Sequence, residues 1–234
     1  MSLRIAIVGY GRMGRAVEQI ARERGHEIHS IVRGADLRED TALWRNRVRG
    51  ADVAVEFTAP GTAPGTLRNL IEIGVPTVTG TTGWGAHLAE LTRLVDSRGG
   101  ALLHSPNFSV GVQLFLKTAE ELARRFRGRT EFDAFIVEEH HRAKVDAPSG
   151  TALRLQQGVQ DADPERGCPI TSIRAGAIPG THALRYDAAF ETVRLEHVAR
   201  SRTVFAAGAL VAAEWLPGRR GVFTFEEMLF GRPS

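Results

Sequence analysis

The stretch EEHHRAKVDAPSGTAL, from Glu138 to Leu153, sets carboxylates, two histidines, an arginine and a lysine against a proline and a Ser-Gly-Thr turn. These residue types suit two tasks. A histidine can exchange a proton near neutral pH, since the unperturbed imidazole titrates at about 6.5. A lysine can hold an anion or deliver a proton. Ser149, Gly150 and Thr151 stand just before ALRL, which has helical character. A helix start leaves backbone N–H groups unpaired and, with Ser or Thr there, a hydroxyl to spare. A carboxylate docks well on such an end. The bland reading of the same residues is a wet, charged loop with a helix cap. The sharper reading is a site that grips an anion and moves protons.

A second pattern lies near the N-terminus. Gly9, Tyr10, Gly11, Arg12, Met13 and Gly14 match G-x-G-x-x-G. The apolar run LRIAIV precedes them, and Met13, Val17, Ile20 and Ala21 follow at helical spacing. This is a strand–turn–helix able to cradle a pyrophosphate: Gly9 for the tight turn, Gly11 for close backbone approach and Gly14 for helix–sheet packing. The acidic residue that holds a ribose hydroxyl in such sites belongs at the end of the second strand. Arg33 stands there instead, with Asp36 three residues on. A guanidinium can pair bidentately with a 2′-phosphate, which favours NADPH. The alternative leaves Arg33 in solvent and brings Asp36 to the ribose.

The elements that must position these residues follow from hydrophobic periodicity. EIHSIV, ADVAVEF, the run Val75–Thr79 and ALLHS read as further strands, with helices marked by Leu67, Leu70 and Ile71 and by Leu88, Leu91 and Val95. Strand and helix alternate to about residue 107, which implies a doubly wound parallel sheet. The arginine-rich segment 33–50 carries no clear strand and is expected to be a shortened, irregular crossover, and APGTAPGT is expected to be a turn cluster. Val110–Phe126 reads as one long helix. EFDAFIVEE, SIRAGAI, HALRYDA and TVRLEHVA read as strands with little between the last three, so a second, α+β domain with mixed pairing is expected. TVFAAGALVAAEWL reads as a small-residue helix, and GVFTFEEMLF is apolar enough to dock back on the first domain. The expected division is 1–107 with 214–234 returning to it, and 108–213.

Composition narrows the class. At 43% hydrophobic and 24% charged, 234 residues can build a core without staples. The single cysteine, Cys168, excludes an internal disulfide and suits a reducing cytoplasm. No apolar run approaches a membrane span, and the N-terminus enters a strand with no basic leader region. The net charge of +3 comes from scattered arginines without a zinc spacing or an aromatic recognition strand. An anionic small molecule is therefore the expected partner, not nucleic acid or a membrane.

EEHHRAKVDAPSGTAL closely resembles the signature of the dihydrodipicolinate (4-hydroxy-tetrahydrodipicolinate) reductase family of lysine and diaminopimelate synthesis. VGYGRMGR, VEFTAP, GTTGW, SPNFSVGVQLFLK, SIRAGAIPGTH and SRTVFAAGAL resemble that family's pieces in its order, over nearly the whole chain. The resemblance implies a Rossmann-type domain binding NADPH or NADH, a substrate and tetramerisation domain, and no metal. His140 matches the general acid/base position and Lys144 a proton donor; spacing leaves open which of the two delivers the proton. His141 matches a substrate-binding position, and Ser149, Gly150 and Thr151 the turn that holds a carboxylate. Gly80, Thr81 and Thr82 match a loop near the cofactor. Ser105, Pro106, Asn107 and Phe108 match the stretch beside the nicotinamide. The competing readings are another Rossmann-type dehydrogenase, such as one for aspartate or homoserine, and a dinucleotide-binding redox sensor without catalysis.

Overall fold

Short apolar runs covered on both faces have no solvent side to alternate with, and the central strands of the first unit are of this kind. The computed structural model describes residues 2–38 and 41–231. The chain begins with β1 (Arg4–Val8), α1 (Arg12–Glu23), β2 (Glu27–Val32), α2 (Thr41–Val48), β3 (Val53–Glu56), α3 (Ala63–Glu72), β4 (Thr77–Thr79), α4 (Leu88–Arg98) and β5 (Ala101–His104). It continues through α5 (Val110–Phe126), β6 (Asp133–His140), α6 (Gly150–Ala162), β7 (Ile170–Arg174), β8 (Thr181–Asp187) and β9 (Thr192–Val198). It returns with α7 (Thr203–Trp215), β10 (Gly221–Thr224) and α8 (Phe225–Phe230). Two compact units result: Met1–Ser109 with Thr203–Ser234, and Val110–Arg202.

The first unit is a six-stranded parallel sheet in the order β10-β5-β4-β3-β1-β2. Strand order reverses at β1, with β2 on one side and β3 on the other, and ligands of open α/β sheets bind at such a switch point. α1 buries Gly14, Val17, Ile20 and Ala21. The sequence reading ended the second unit at 213, whereas the structure ends it at Arg202 and gives α7 to the first. The reason is composition. α7 buries Ala206, Gly208, Ala209, Leu210, Ala212 and Ala213, and it packs on α1, β3 and β4. A helix apolar on all sides needs cover on more than one side. A Cβ at Gly208 would lie 1.7 Å from the Phe108 carbonyl oxygen, so only glycine permits this approach.

The 33–50 crossover contains more structure than its polarity suggested. It holds a 3-10 turn at Asp36–Arg38 and the helix α2, which buries Trp44 and Val48 against Val32 and Ala54; Glu39 and Asp40 lie outside the described residues. The expected turn cluster APGTAPGT is likewise helical from Ala63 onward, with Pro64 in the first turn of α3, where proline's missing N–H is harmless.

The second unit is a four-stranded sheet, β7-β6-β8-β9, with β6 and β7 parallel and β6, β8 and β9 antiparallel. Register stacks its inner face in rows. Ala134, Tyr186 and Val193 form one, and Ile170, Ile136, Leu184 and Leu195 the next. α5 and α6 cover these rows with Val112, Phe115, Leu116, Ala119, Ala152, Leu155 and Val159. The following row is polar: Ser172, Glu138, His182 and His197. Beyond it His140 pairs with Arg174. One end of the sheet thus carries a charged row at core depth.

Candidate active site

The polar row exists because β6 keeps its period of two past the core. Ala134, Ile136, Glu138 and His140 share one face, and all four are buried. Glu138 is fully buried, at 0% exposure. One of its carboxylate oxygens bonds His140 Nδ1, and the other accepts from Arg174 Nη2 at 2.6 Å. Arg174 also donates to the Asp146 carbonyl at 2.5 Å and to the Ile173 carbonyl at 2.8 Å. Burial works to raise the Glu138 pKa, but bonds from Arg174 and Ser172 and the nearby His140 hold it below the ordinary carboxylate value. Burial lowers the His140 pKa, against the upward pull of Glu138.

His182, opposite Glu138, is pushed down to about 4, mainly by burial and then by His140. It is therefore neutral at pH 7. Ser149 caps α6 by accepting from the Ala152 N–H at 3.2 Å, and its hydroxyl lies 3.0 Å from His182 Nε2, to which it can donate. The helix end is thereby fastened to the sheet. Gly150 and Thr151 form the first turn; the Asp146 carboxylate accepts from the Gly150 backbone N–H, and a Cβ at Gly150 would meet nothing within 4 Å. Lys144 Nζ pairs with Asp146 Oδ1 at 2.7 Å, and that bond leads the causes holding the Asp146 carboxyl below its usual range. Arg202 Nη2 reaches His141 Nε2 at 3.1 Å. A guanidinium only donates, so His141 accepts there.

The expected residues His140, His141, Lys144, Ser149, Gly150 and Thr151 therefore belong to one cluster, and Lys144 is near enough to His140 to oppose its protonation. The sequence reading missed Glu138, Arg174, His182 and Arg202. Glu138 alone had a local signal, as a charge on the apolar phase of its strand. Glu138, His140 and His182 are also the one group among the described residues spaced closely enough to hold a metal ion. The Arg174 guanidinium already supplies the positive charge on Glu138, which fits a hydrogen-bonded relay better than a cation site.

In the first unit, the expected cofactor residues gather at the carboxyl ends of β1, β2, β4 and β5. Gly9 has φ +94°, and a Cβ there would lie 2.1 Å from the Phe57 carbonyl oxygen. A Cβ at Gly14 would lie 2.2 Å from the Gly9 carbonyl oxygen, whereas one at Gly11 would meet nothing within 4 Å. Two glycines thus close the turn against the sheet, and the third leaves the N-terminus of α1 open, with no side chain capping it. That cradle fits a pyrophosphate. Arg12 is exposed and Met13 half-buried on the first turn.

The guanidinium of Arg33 lies over the Tyr10 ring at 5.3 Å. Asp36 accepts from the Arg33 backbone N–H at 2.5 Å and pairs with Arg47 at 3.0 Å. The acidic candidate is thus already engaged and the basic one is exposed beside the cradle. Gly80 faces Phe57, whose ring a Cβ would meet at 2.0 Å. Thr81 is tied to the fully buried Glu56 at 2.8 Å, and Thr82 is exposed. Glu56 also accepts from the hydroxyls of Thr58 and Thr79 and from the Thr58 N–H at 2.7 Å. This pinning of the loop by a buried glutamate was another feature the sequence reading missed. Ser105 and Asn107 fold the chain around Pro106, with Ser105 Oγ donating to the Asn107 carbonyl at 2.8 Å. Phe108 is buried between Phe57 and Phe225.

A Rossmann-type unit with a glycine-rich strand–helix turn, joined in one chain to an α+β unit bearing a His–Lys cluster, is the architecture of an oxidoreductase of the two-domain NAD(P)H-dependent class. Family models described as "Dihydrodipicolinate reductase, N-terminus" and "Dihydrodipicolinate reductase, C-terminus" match residues 3–108 and 111–229. The chain belongs to the dihydrodipicolinate reductase family. A 4-hydroxy-tetrahydrodipicolinate reductase from Christiangramia forsetii is 34% identical over 97% of this chain and 98% of its own length. One from Alkalilimnicola ehrlichii is 37% identical over 98% and 99%. The dipicolinate-bound dihydrodipicolinate reductase from Paenisporosarcina sp. TG-14 superimposes with a TM-score of 0.77 at 21% identity, covering 97% of this chain and 100% of that one, and so shares the fold.

Proposed function

We infer that the protein reduces 4-hydroxy-tetrahydrodipicolinate to tetrahydrodipicolinate with NADPH or NADH, in lysine and diaminopimelate synthesis. The observation that carries this is the second unit's cluster: His140 and Lys144 beside the Ser149-capped end of α6. Bound NADPH or NADH supplies the hydride, which adds to the conjugated imine of the ring with or after loss of the 4-hydroxyl as water. Lys144 and the turn at Gly150 and Thr151 hold the substrate's carboxylates and stabilise the negative charge that runs toward the ring nitrogen. His140 or Lys144 then protonates the ring carbon. The test is oxidation of NADPH and of NADH, each followed at 340 nm with and without this substrate. Oxidation that depends on it supports the reading, and oxidation driven instead by aspartate or homoserine derivatives, or none at all, overturns it.

Pyridine-2,6-dicarboxylate, planar and unable to accept the hydride, competes with the substrate. Thr151→Val weakens that inhibition by about 5–150-fold, matching the roughly 1–3 kcal/mol of a donor lost to a buried carboxylate. Unchanged inhibition constants in the variant would remove Thr151 from the pocket.

The adenosine end of the site favours NADPH, because Asp36 is engaged by Arg47 and the Arg33 backbone while the Arg33 guanidinium is exposed over Tyr10. Arg33→Ala raises the KM for NADPH by about tenfold or more, on the order of 1.5–3 kcal/mol for a charged hydrogen bond, and changes that for NADH little. A wild type that strongly prefers NADH, with a variant indistinguishable from it on NADPH, would return the ribose contact to Asp36.

The active form is proposed to be a homotetramer in the cytoplasm. α5 and α6 cover one face of the second unit's sheet, and Ile173 and Val198 on the opposite face are exposed. The lone Cys168 is buried, which pushes its pKa up to about 11, and no helix among the described residues is long and apolar enough to cross a membrane. Light scattering of the purified protein gives the assembly mass directly.

A further inference from the structure

Glu138 has no part in the reaction as outlined above, yet it is the most deeply buried charge in the second unit's site. We propose that Glu138 is a positioning residue: clamped by Arg174, it holds His140 through Nδ1 and so makes Nε2 the nitrogen that exchanges the proton. The proposal rests on the reductase reading and adds to it the orientation and tautomer of His140.

Three observations converge on it. The two oxygens of Glu138 are divided between His140 Nδ1 and Arg174 Nη2, and Ser172 supplies a further hydrogen bond. An ionised carboxylate only accepts, so Nδ1 must carry the hydrogen and the neutral ring presents its lone pair at Nε2. The Nε2 edge faces Gly180, where a Cβ would lie 3.0 Å from Nε2, so glycine leaves room on that side of the ring. His140 Nε2 has no hydrogen-bond partner among the described residues. Finally, Arg174 is held by the Asp146 and Ile173 carbonyls as well as by Glu138, so the clamp is itself anchored on the far side.

The charges facing His140 come from each element around it: Glu138 on β6, Lys144 after β6, Arg174 on β7 and His182 on β8, the last with His197 of β9 beside it. Only Glu138 favours the protonated imidazole; Lys144 and Arg174 oppose it, as does burial. Removing a carboxylate that merely neutralised Arg174 would lower the His140 titration too, so the tautomer of the neutral ring is what separates the two roles.

The experiment uses the full-length protein with 15N-labelled histidine, Glu138→Gln, and His140→Gln to assign the resonance. Glu138→Gln is expected to move the His140 titration to lower pH by about 1–3 units, the range for losing an opposite charge in contact. It is also expected to mix the two neutral tautomers. In turnover, kcat falls by about tenfold or more, part of the 10²–10⁴ that positioned proton transfer contributes, while the KM for NADPH stays within about twofold. An unchanged tautomer in a folded Glu138→Gln protein overturns the proposal, whatever the titration does. If the glutamine variant does not fold, Glu138→Asp decides, because it withdraws the carboxylate from Nδ1 by one methylene: mixed neutral tautomers support the role, an unaltered tautomer ends it. A wild type that titrates as expected but does not turn over substrate would count against the reductase reading and leave the Glu138–His140 geometry standing.

Discussion

Lys144→Ala lowers kcat by about 10²–10⁴-fold, the contribution of a positioned proton donor, with little change in affinity for NADPH. The side chain sits in the second unit's cluster, 2.7 Å from Asp146 and close enough to His140 to influence it. The proposed phosphate cradle, the glycine turn between β1 and α1, belongs to the other unit. A loss confined to turnover and to the substrate's KM, with NADPH binding measured separately by fluorescence titration, is the expected pattern. In the proposed reaction Lys144 also stabilises charge on the ring, so its proton and its ammonium are lost together. Near-wild-type turnover in Lys144→Ala would remove it from the reaction.

His140→Ala gives a loss of the same order, and the double variant loses less than the product of the two. Residues that act as a unit are non-additive, because removing either leaves the other without its task. The loss at His140 has a structural component as well. His140 is the hydrogen-bond partner of a fully buried Glu138, so its deletion leaves that carboxylate with Arg174, Ser172 and an empty volume. Thermal unfolding of each variant separates a destabilised site from a lost proton transfer. A double variant whose loss equals the product of the single losses would mean that His140 and Lys144 act in separate steps.

The parts of this site readable in the sequence are those encoded within a few residues. His140, Lys144 and Ser149 lie within ten positions of chain, and the Ser-Gly-Thr start of α6 announces itself by capping chemistry. The partners of Glu138 do not. Arg174 and His182 come to it only because β7 and β8 flank β6 in a particular register. A slip of one residue would turn either side chain to the other face of the sheet. The same limit applies to α7. Its apolar, small-residue pattern marked a helix, but which unit would cover it depended on complementarity with α1 and with the Phe108 carbonyl, which no local pattern carries. In α2 the signal was diluted: Trp44 and Val48 supply its buried side, while Arg45 and Arg47 make the segment look like loop.

The chain leaves the first unit after Ser109 and re-enters it at Thr203, so the second unit is an insertion within the first. A ribosome therefore delivers the second unit whole, as one contiguous stretch, before the first has received α7 and its last strand. Until Gly221–Thr224 emerges, β5 has no neighbour on its far side. At 5–20 residues per second, that edge waits roughly 6–24 s. An unpaired strand edge is where chains adhere to one another, and β5 limits the hazard by being only four residues long. The order of assembly thus runs from the inside of the sequence outward: the piece made in the middle can finish first, and the piece begun first is closed last.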